Sequence, residues 1–310
     1  MVKRKRYLNS ESELTNQLRR LAPIPRGSGV VLGIGDDCAI FSLPDSPQDL
    51  LFTTDMLVEG THFQRVTHTS GQIGWKALAR GLSDIAAMGG EPRFCLVSLA
   101  LAPWCDAVWV KGFFRGLLLL AGRTGTVLAG GDLSHGKQVA CDVTACGAVP
   151  RGRALRRDGA RAGDAIYVSG SLGGSALGLA TGWGQAWRRH LRPEPRLALA
   201  RFLRETVRAT SAMDLSDGLS LDLARLCKAS GLGAEIGQPP VWKGATLLQA
   251  LHGGEDYELL FTAPPRQRVP AAFEDVPLTR IGVMRRQNPG EVTIAGKPLA
   301  ALGYDHFRAG

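Results

Sequence analysis

Five times along this 310-residue chain, acids stand among glycine, serine or threonine where an apolar run ends or a helical pattern begins. The segments are Gly33-Ile34-Gly35-Asp36-Asp37, Thr53-Thr54-Asp55, Gly130-Gly131-Asp132, Asp214-Leu215-Ser216-Asp217-Gly218 and Gly253-Gly254-Glu255-Asp256. A sixth acid, Asp84, lies in the helical pattern of 72–88 on a face shared with Ala77, Gly81 and Met88, where two small neighbours leave space at the carboxylate. Turn and cap chemistry accounts for any one segment, because Asp and Gly are common turn formers. It does not account for the repetition. Carboxylates with hydroxyls, without thiolates and almost without histidine, are the ligand set of a hard divalent cation, and Mg²⁺ commonly arrives with phosphates. Glycines let backbone N–H groups approach phosphate oxygens, and a helix starting after Asp217-Gly218 would aim its amides the same way.

The elements carrying these turns alternate. Runs 30–32, 50–53, 94–101, 126–129 and 139–149 read as strands, and 72–88 and 105–122 as helices, so residues 30–150 are expected to form a mixed α/β domain. Leu8, Leu14, Leu18 and Leu21 mark one face of a short helix over 8–21, stopped by Pro23 and Pro25, which sets 1–29 apart as an N-terminal arm and helix. The basic stretch 151–164 reads as a linker with its turn at 158–163. A second unit then repeats the mixed pattern: a strand at 165–169, a Gly-rich turn at 170–174, helices near 175–182, 194–208 and 218–230, and strands near 257–262 and 278–283. The expected fold class is α+β or mixed α/β in two domains.

The charge balance, 37 Lys and Arg against 28 Asp and Glu, gives +9 and a pI near 9.6, which at first suggests nucleic acid. Its distribution argues otherwise. Acids gather in 31–150 and 211–265, where the motifs lie, and the basic excess falls in 1–30, 151–210 and the tail. Trp183 and Trp187 beside Arg188 and Arg189 read as core and rim of one helix face rather than a base-stacking platform. Lys3, Arg4, Lys5 and Arg6 lead into polar Asn9 and Ser10, not the apolar stretch of a secretory signal, and the greasiest window, 116–122, falls short of the roughly 20 apolar residues that span a bilayer. The six cysteines show no CxxC spacing and read as buried reduced thiols. A cytoplasmic chain with no membrane or nucleic-acid partner is expected. The segment from Gly131 to Lys137 approaches the phosphate-loop pattern but places Gln138 where a metal-holding hydroxyl is needed, and it continues as strand. Gly170-Ser171-Leu172-Gly173-Gly174 lacks dinucleotide-binding spacing.

With these residues in view, the chain resembles the thiamine-monophosphate kinase family, part of the ATP-binding superfamily of aminoimidazole ribonucleotide synthetase, selenophosphate synthetase and the hydrogenase maturation factor. The likeness runs in family order through Gly33 to Ala39, Thr53-Thr54-Asp55 to Phe63 with His62, Lys76 to Ala79, Leu82-Ser83-Asp84 to Gly89, Gly130-Gly131-Asp132, Gly152 to Arg157, Asp214 to Gly218, Gly253 to Leu259 and Gly303-Tyr304 to Phe307. The phrases around His62, Glu255 and Tyr304 point to the kinase rather than its relatives. The resemblance implies that ATP and thiamine phosphate give ADP and thiamine diphosphate. It implies an N-terminal domain over 30–150 that binds ATP and Mg²⁺ and forms a homodimer through a shared β-barrel, and a C-terminal domain over 151–310 that closes over nucleotide and substrate. It implies that Asp37, Thr53, Thr54, Asp55, Asp84, Asp132, Asp214 and Asp217 hold several Mg²⁺ ions. Gly131, Asp132, Arg157 and Ser216 would contact ATP, and His62, Glu255 and Tyr304 thiamine phosphate. No general base is expected, because the accepting phosphate has a second pKa of about 6 and is already mostly dianionic at pH 7. Leu133 stands where members of the family often have a threonine. The competing readings are another ATP-using enzyme of the superfamily and a basic nucleic-acid-binding protein.

Overall fold

The computed structural model describes residues 10–307. The expectations resting on Lys3, Arg4, Lys5, Arg6, Leu8 and Asn9 lie outside the described residues. The first helix, α1 (Glu11–Leu21), starts where Ser10 Oγ accepts the Glu13 N–H at 3.1 Å and ends ahead of Pro23.

The first half contains β1 (Val30–Leu32), β2 (Ala39–Ser42), β3 (Gln48–Val58), α2 (Ser70–Ala87), β4 (Glu91–Leu101), α3 (Ala107–Thr124), β5 (Val127–His135) and β6 (Ala140–Pro150). Its strands form one sheet in the order β1-β2-β3-β6-β4-β5, antiparallel except where β5 runs alongside β4. Side chains alternate across a strand, so β3 sends Thr53 and Asp55 toward α2 and Thr54 to the opposite, open face, where it meets Asp142 of β6. Helices α2 and α3 cover the first face, and Leu57, Val97, Leu99 and Val143 pack there with Ile73, Leu82, Phe113 and Leu117.

The second half contains β7 (Ala165–Ser169), α4 (Gly174–Thr181), α5 (Gly184–Leu191), α6 (Leu197–Phe202), β8 (Ser211–Asp214), α7 (Leu219–Ala229), β9 (Gly233–Ile236), α8 (Leu247–His252), β10 (Leu259–Ala263), β11 (Ala272–Phe273), β12 (Val276–Arg285), β13 (Val292–Ile294) and β14 (Lys297–Pro298). The sheet order is β14-β13-β9-β12-β7-β10-β8, with β11 paired to β12. A third apolar cluster joins the halves, setting Ala86, Ala87 and Leu155 against Leu199, Leu203 and Phe261. Helix α2 is therefore covered by its own sheet, by α3 and by the second half, and thirteen of its eighteen residues are buried.

Several expectations change. The Gly130-Gly131-Asp132 segment is not a turn; β5 runs through it to His135. Gly131 has φ +148, and a Cβ there would lie 1.9 Å from the Val97 carbonyl, so glycine is what lets two strands approach. The helix expected over 194–208 divides into α6 and a π-helical turn, Leu203–Val207, ended by Arg208 at φ +54. Trp183 is not part of a core: it precedes α5 and is 74% exposed, while Trp187 stacks on His190 with centroids 5.1 Å apart. The short elements β2, β8, β9 and α8 went unanticipated because four to six residues hold too little periodicity. No helix among the described residues is long and apolar enough to cross a membrane.

Candidate active site

A cavity of about 1070 Å³ lies between the halves, with α1 along one wall. The turn before β2 brings Asp37, α2 brings Asp84 and the end of β8 brings Asp214, and one carboxylate oxygen from each lies within 4.8 Å of the other two. Thr53 Oγ1 donates to Asp84 Oδ2 at 2.5 Å, and Ser83 Oγ donates to Asp214 Oδ2 at 2.7 Å. Asp37 Oδ2 is buried and has no hydrogen-bond partner among the described residues. Burial pushes the Asp84 carboxyl well up, and the charges of Asp214, Asp55 and Asp37 push it further; burial and Asp37 do the same to Asp214. Asp36 is raised to about 7, first by burial and then by Asp37 beside it. Three carboxylates this close cannot all ionise without a counter-charge, and an all-oxygen donor set with one orphaned oxygen fits a hard divalent cation.

Arginines surround this group. Arg157 pairs with Asp37 and stands 3.8 Å from Asp36, while Arg80 meets Asp55 at 2.5 and 2.9 Å. Arg225 pairs with Asp217 and reaches Asp222 at 3.1 Å. The amides of Asp217 and Gly218, just ahead of α7, donate to Asp222 Oδ2 at 3.0 Å each. A fully buried acid in the first turn of α7 has satisfied them.

The opposite wall carries the other set. His62 Nδ1 accepts the Val58 N–H at 3.0 Å, the strand-end bond that a structural histidine makes, and its Nε2 is buried without a partner among the described residues. Burial lowers His62 to about 4. Glu255 lies 2.8 Å from Lys76 Nζ and 3.3 Å from His190 Nδ1, and its N–H donates to the Ser216 carbonyl at 2.7 Å, which ties the 214–218 and 253–256 turns together. Tyr304 is 48% exposed, with its ring 4.8 Å from His306, which in turn lies 5.1 Å from His62.

One cavity thus brings together Asp37, Thr53, Thr54, Asp55, Asp84, Asp214, Asp217, Arg157, Ser216, His62, Glu255 and Tyr304. Gly131 and Asp132 are not among its lining residues; they lie on β5, the exposed edge strand. Thr54 lines the cavity, but its hydroxyl donates to Asp142 at 2.7 Å on the open face. The space expected beside Asp84 is also used, since a Cβ at Gly81 would lie 3.2 Å from Ala145 Cβ, so that glycine seats α2 on the sheet. Sequence reasoning missed Arg80, Arg225 and Asp222, and gave Lys76 no role. A usable signal existed: Lys76, Arg80 and Asp84 stand at i, i+4 and i+8 of an otherwise apolar helix.

Fold and site together define a two-domain α/β protein whose central cleft gathers carboxylates and arginines. Residues 35–149 match the AIR synthase related protein N-terminal domain, and residues 161–295 the corresponding C-terminal domain. The chain is 40% identical to the thiamine-monophosphate kinases of Salmonella typhimurium and Escherichia coli over 306 residues, covering 90% of this chain and 92% of each relative. Among solved structures, AaThiL complexed with AMPPCP and TMP superposes with a TM-score of 0.84 at 31% identity, covering 96% of this chain and 97% of that one. The thiamine-monophosphate kinase of Stenotrophomonas maltophilia gives 0.74 at 35% identity, covering 92% and 95%. The hydrogenase maturation protein HypE in complex with ATP, at 0.66 and 19% identity over 84% of this chain and 87% of that one, shares the fold. The chain belongs to the AIR synthase related family, and within it to the thiamine-monophosphate kinases.

Proposed function

We infer that the protein transfers the γ-phosphoryl group of ATP to the phosphate of thiamine phosphate, giving ADP and thiamine diphosphate. The observation that carries this reading is that one cavity holds both the Asp37, Asp84, Asp214 cluster and the His62, Glu255, Tyr304 wall. The difficulty in the reaction is electrostatic. Two unit charges of like sign at 4 Å repel by about 4 kcal/mol at an effective dielectric near 20, and a dianionic phosphate must approach an anionic one in line. Bound Mg²⁺ ions would supply charge neutralisation and a fixed line of approach. Asp37, Asp84 and Asp214 would hold them, with Thr53, Asp55 and Asp217 at the margins. Asp132 is the outlying acid, on the open sheet face.

The chain's own residues do the rest. Arg157, paired with Asp37, would act as a planar clamp for nucleotide phosphate oxygens. Ser216, which lines the cavity, would contact the nucleotide. Glu255 and Tyr304 offer a carboxylate and an aromatic face to the thiamine rings, a cation–π contact being worth about 0.5–2 kcal/mol. No side chain has to remove a proton. We take the working form to be a cytoplasmic homodimer. The first sheet leaves one face open, with Met56 and Leu96 exposed on it, and β5 unpaired along one edge. All six cysteines are free and five are buried, which suits a reducing compartment. The deciding experiment incubates purified protein with Mg·ATP and thiamine phosphate: thiamine diphosphate is the expected product, and ADP release without it overturns the reading.

A further inference from the structure

Lys76 has no exposure to solvent, and a buried ammonium needs a partner to stay charged. It projects from the same face of α2 as Arg80 and Asp84. Its Nζ lies 2.8 Å from Glu255 Oε1, donates to Oε2 at 2.9 Å and reaches the His62 carbonyl at 3.5 Å. One ammonium therefore holds the backbone of one substrate-wall residue and both carboxylate oxygens of another, across the junction of the two halves. Glu255 needs such a hold. It has φ +65, a strained conformation for a non-glycine residue that persists only where its surroundings impose it. A pair made for stability alone has no need to face a cavity, since well-packed apolar residues serve a core as well or better. Here the carboxylate keeps 25% of its side-chain exposure and lines the cavity.

We propose that Lys76 is a positioning residue that sets substrate specificity: by pinning Glu255 it keeps an acceptor-only carboxylate in the cavity wall, which selects an acceptor substrate whose ring carries amino donors over one carrying an oxo group. An ionised carboxylate accepts hydrogen bonds and donates none. Burial alone pushes the Glu255 carboxyl up, but Lys76, helped by His190 and Arg80, outweighs it and holds the group at about 2. Without Lys76, burial prevails, the carboxyl keeps its proton and becomes a donor, and the preference for an amino group is lost. A site built to hydrogen-bond one group rejects its analogue because the site's own polar group is left unpaired.

The inference rests on the reading that Glu255 meets the thiamine rings, and the experiment separates the two. Steady-state kinetics are measured with ATP, thiamine phosphate and the oxo analogue oxythiamine phosphate for Lys76→Met, Lys76→Arg and Glu255→Gln. Lys76→Met is expected to raise KM for thiamine phosphate about tenfold or more, to leave KM for ATP within about twofold, and to erase most of the preference over the oxo analogue. Lys76→Arg keeps the charge and retains the preference while KM shifts. Unchanged kinetics in Glu255→Gln sink the reading of Glu255. A changed Glu255→Gln beside wild-type selectivity in Lys76→Met overturns the role of Lys76, as does a rise of both KM values together with a lowered melting temperature. If Lys76→Met does not fold, Lys76→Arg decides: lost preference with the charge retained overturns the proposal.

Discussion

Asp84 and Asp214 illustrate how a residue can serve the site at the expense of the fold. Each is buried and pushed above the ordinary carboxylate range by burial and by the other acids, so each carries a free-energy cost in the metal-free protein at neutral pH. Asp214→Asn keeps an oxygen for the Ser83 hydroxyl and removes that cost. Its metal-free melting temperature should rise, by about 2 °C per kcal/mol at this chain length. Added Mg²⁺ should then stabilise the variant less than the wild type, and turnover should fall by about 100-fold. Calorimetry with and without Mg²⁺ checks this, and a lower metal-free melting temperature contradicts it. The histidines make a second case. His68 and His190 are lowered to about 4, chiefly by burial and then by Lys76. In the unfolded chain they take up protons near pH 6.5, so their contribution to stability is present above that pH and is lost as pH falls toward 4. NMR titration should show both imidazoles neutral at pH 6, and midpoints near 6.5 would refute the assignment. Apart from Asp84, the acids at this scale were legible in the sequence because they stand in segments with the composition of turns. Arg80, Arg225 and Asp222 were not, because a charged residue inside a helix reads as a solvated face until tertiary packing covers it.

At the scale of elements, α2 does the most. It positions Lys76, Arg80 and Asp84 along the cavity, and it can do so only because it lies close against α3. A Cβ on Gly116 would stand 1.8 Å from the Gly71 carbonyl, and one on Gly74 2.0 Å from the Phe113 carbonyl. Gly116→Ala should therefore destabilise the protein by about 1–3 kcal/mol through overpacking, against a small gain in helix propensity. Because α2 must shift to relieve the clash, activity should fall as well. Chemical denaturation and kcat on the same sample check both, and unchanged stability would mean that the helices part without cost. Long elements were readable from periodicity: α2, α3, β4 and β6 lie within a few residues of where the sequence places them. The Gly-Gly-Asp segment was misread as a turn because its composition is that of a turn. Its role as strand follows from pairing with β4, a partner about thirty residues away.

For the whole molecule, the proposed dimer has a definite surface. Thr54, Met56, Leu96 and Asp142 share the open face of the first sheet, with Leu96 39% and Met56 54% exposed. Leu96→Glu should shift the protein to monomer in sedimentation velocity while leaving its secondary structure intact, since two such charges would be brought together without water. A wild type that sediments as a monomer would refute the dimer outright. The sequence by itself determined the family, the two mixed α/β units and nearly every acid of the site, because those are properties of local composition and of order along the chain. Only the tertiary structure decided which acids meet. Asp37, Asp84 and Asp214 are separated by 47 and 130 positions, and their convergence within 4.8 Å depends on β8 ending beside α2 at the junction of the halves. It also placed Asp132 on an exposed edge, turned Thr54 away from Thr53, and made a buried helix lysine the support of a strained glutamate. Spacing along one strand or helix is written in the sequence, whereas the distance between separate elements is set by how their apolar faces pack.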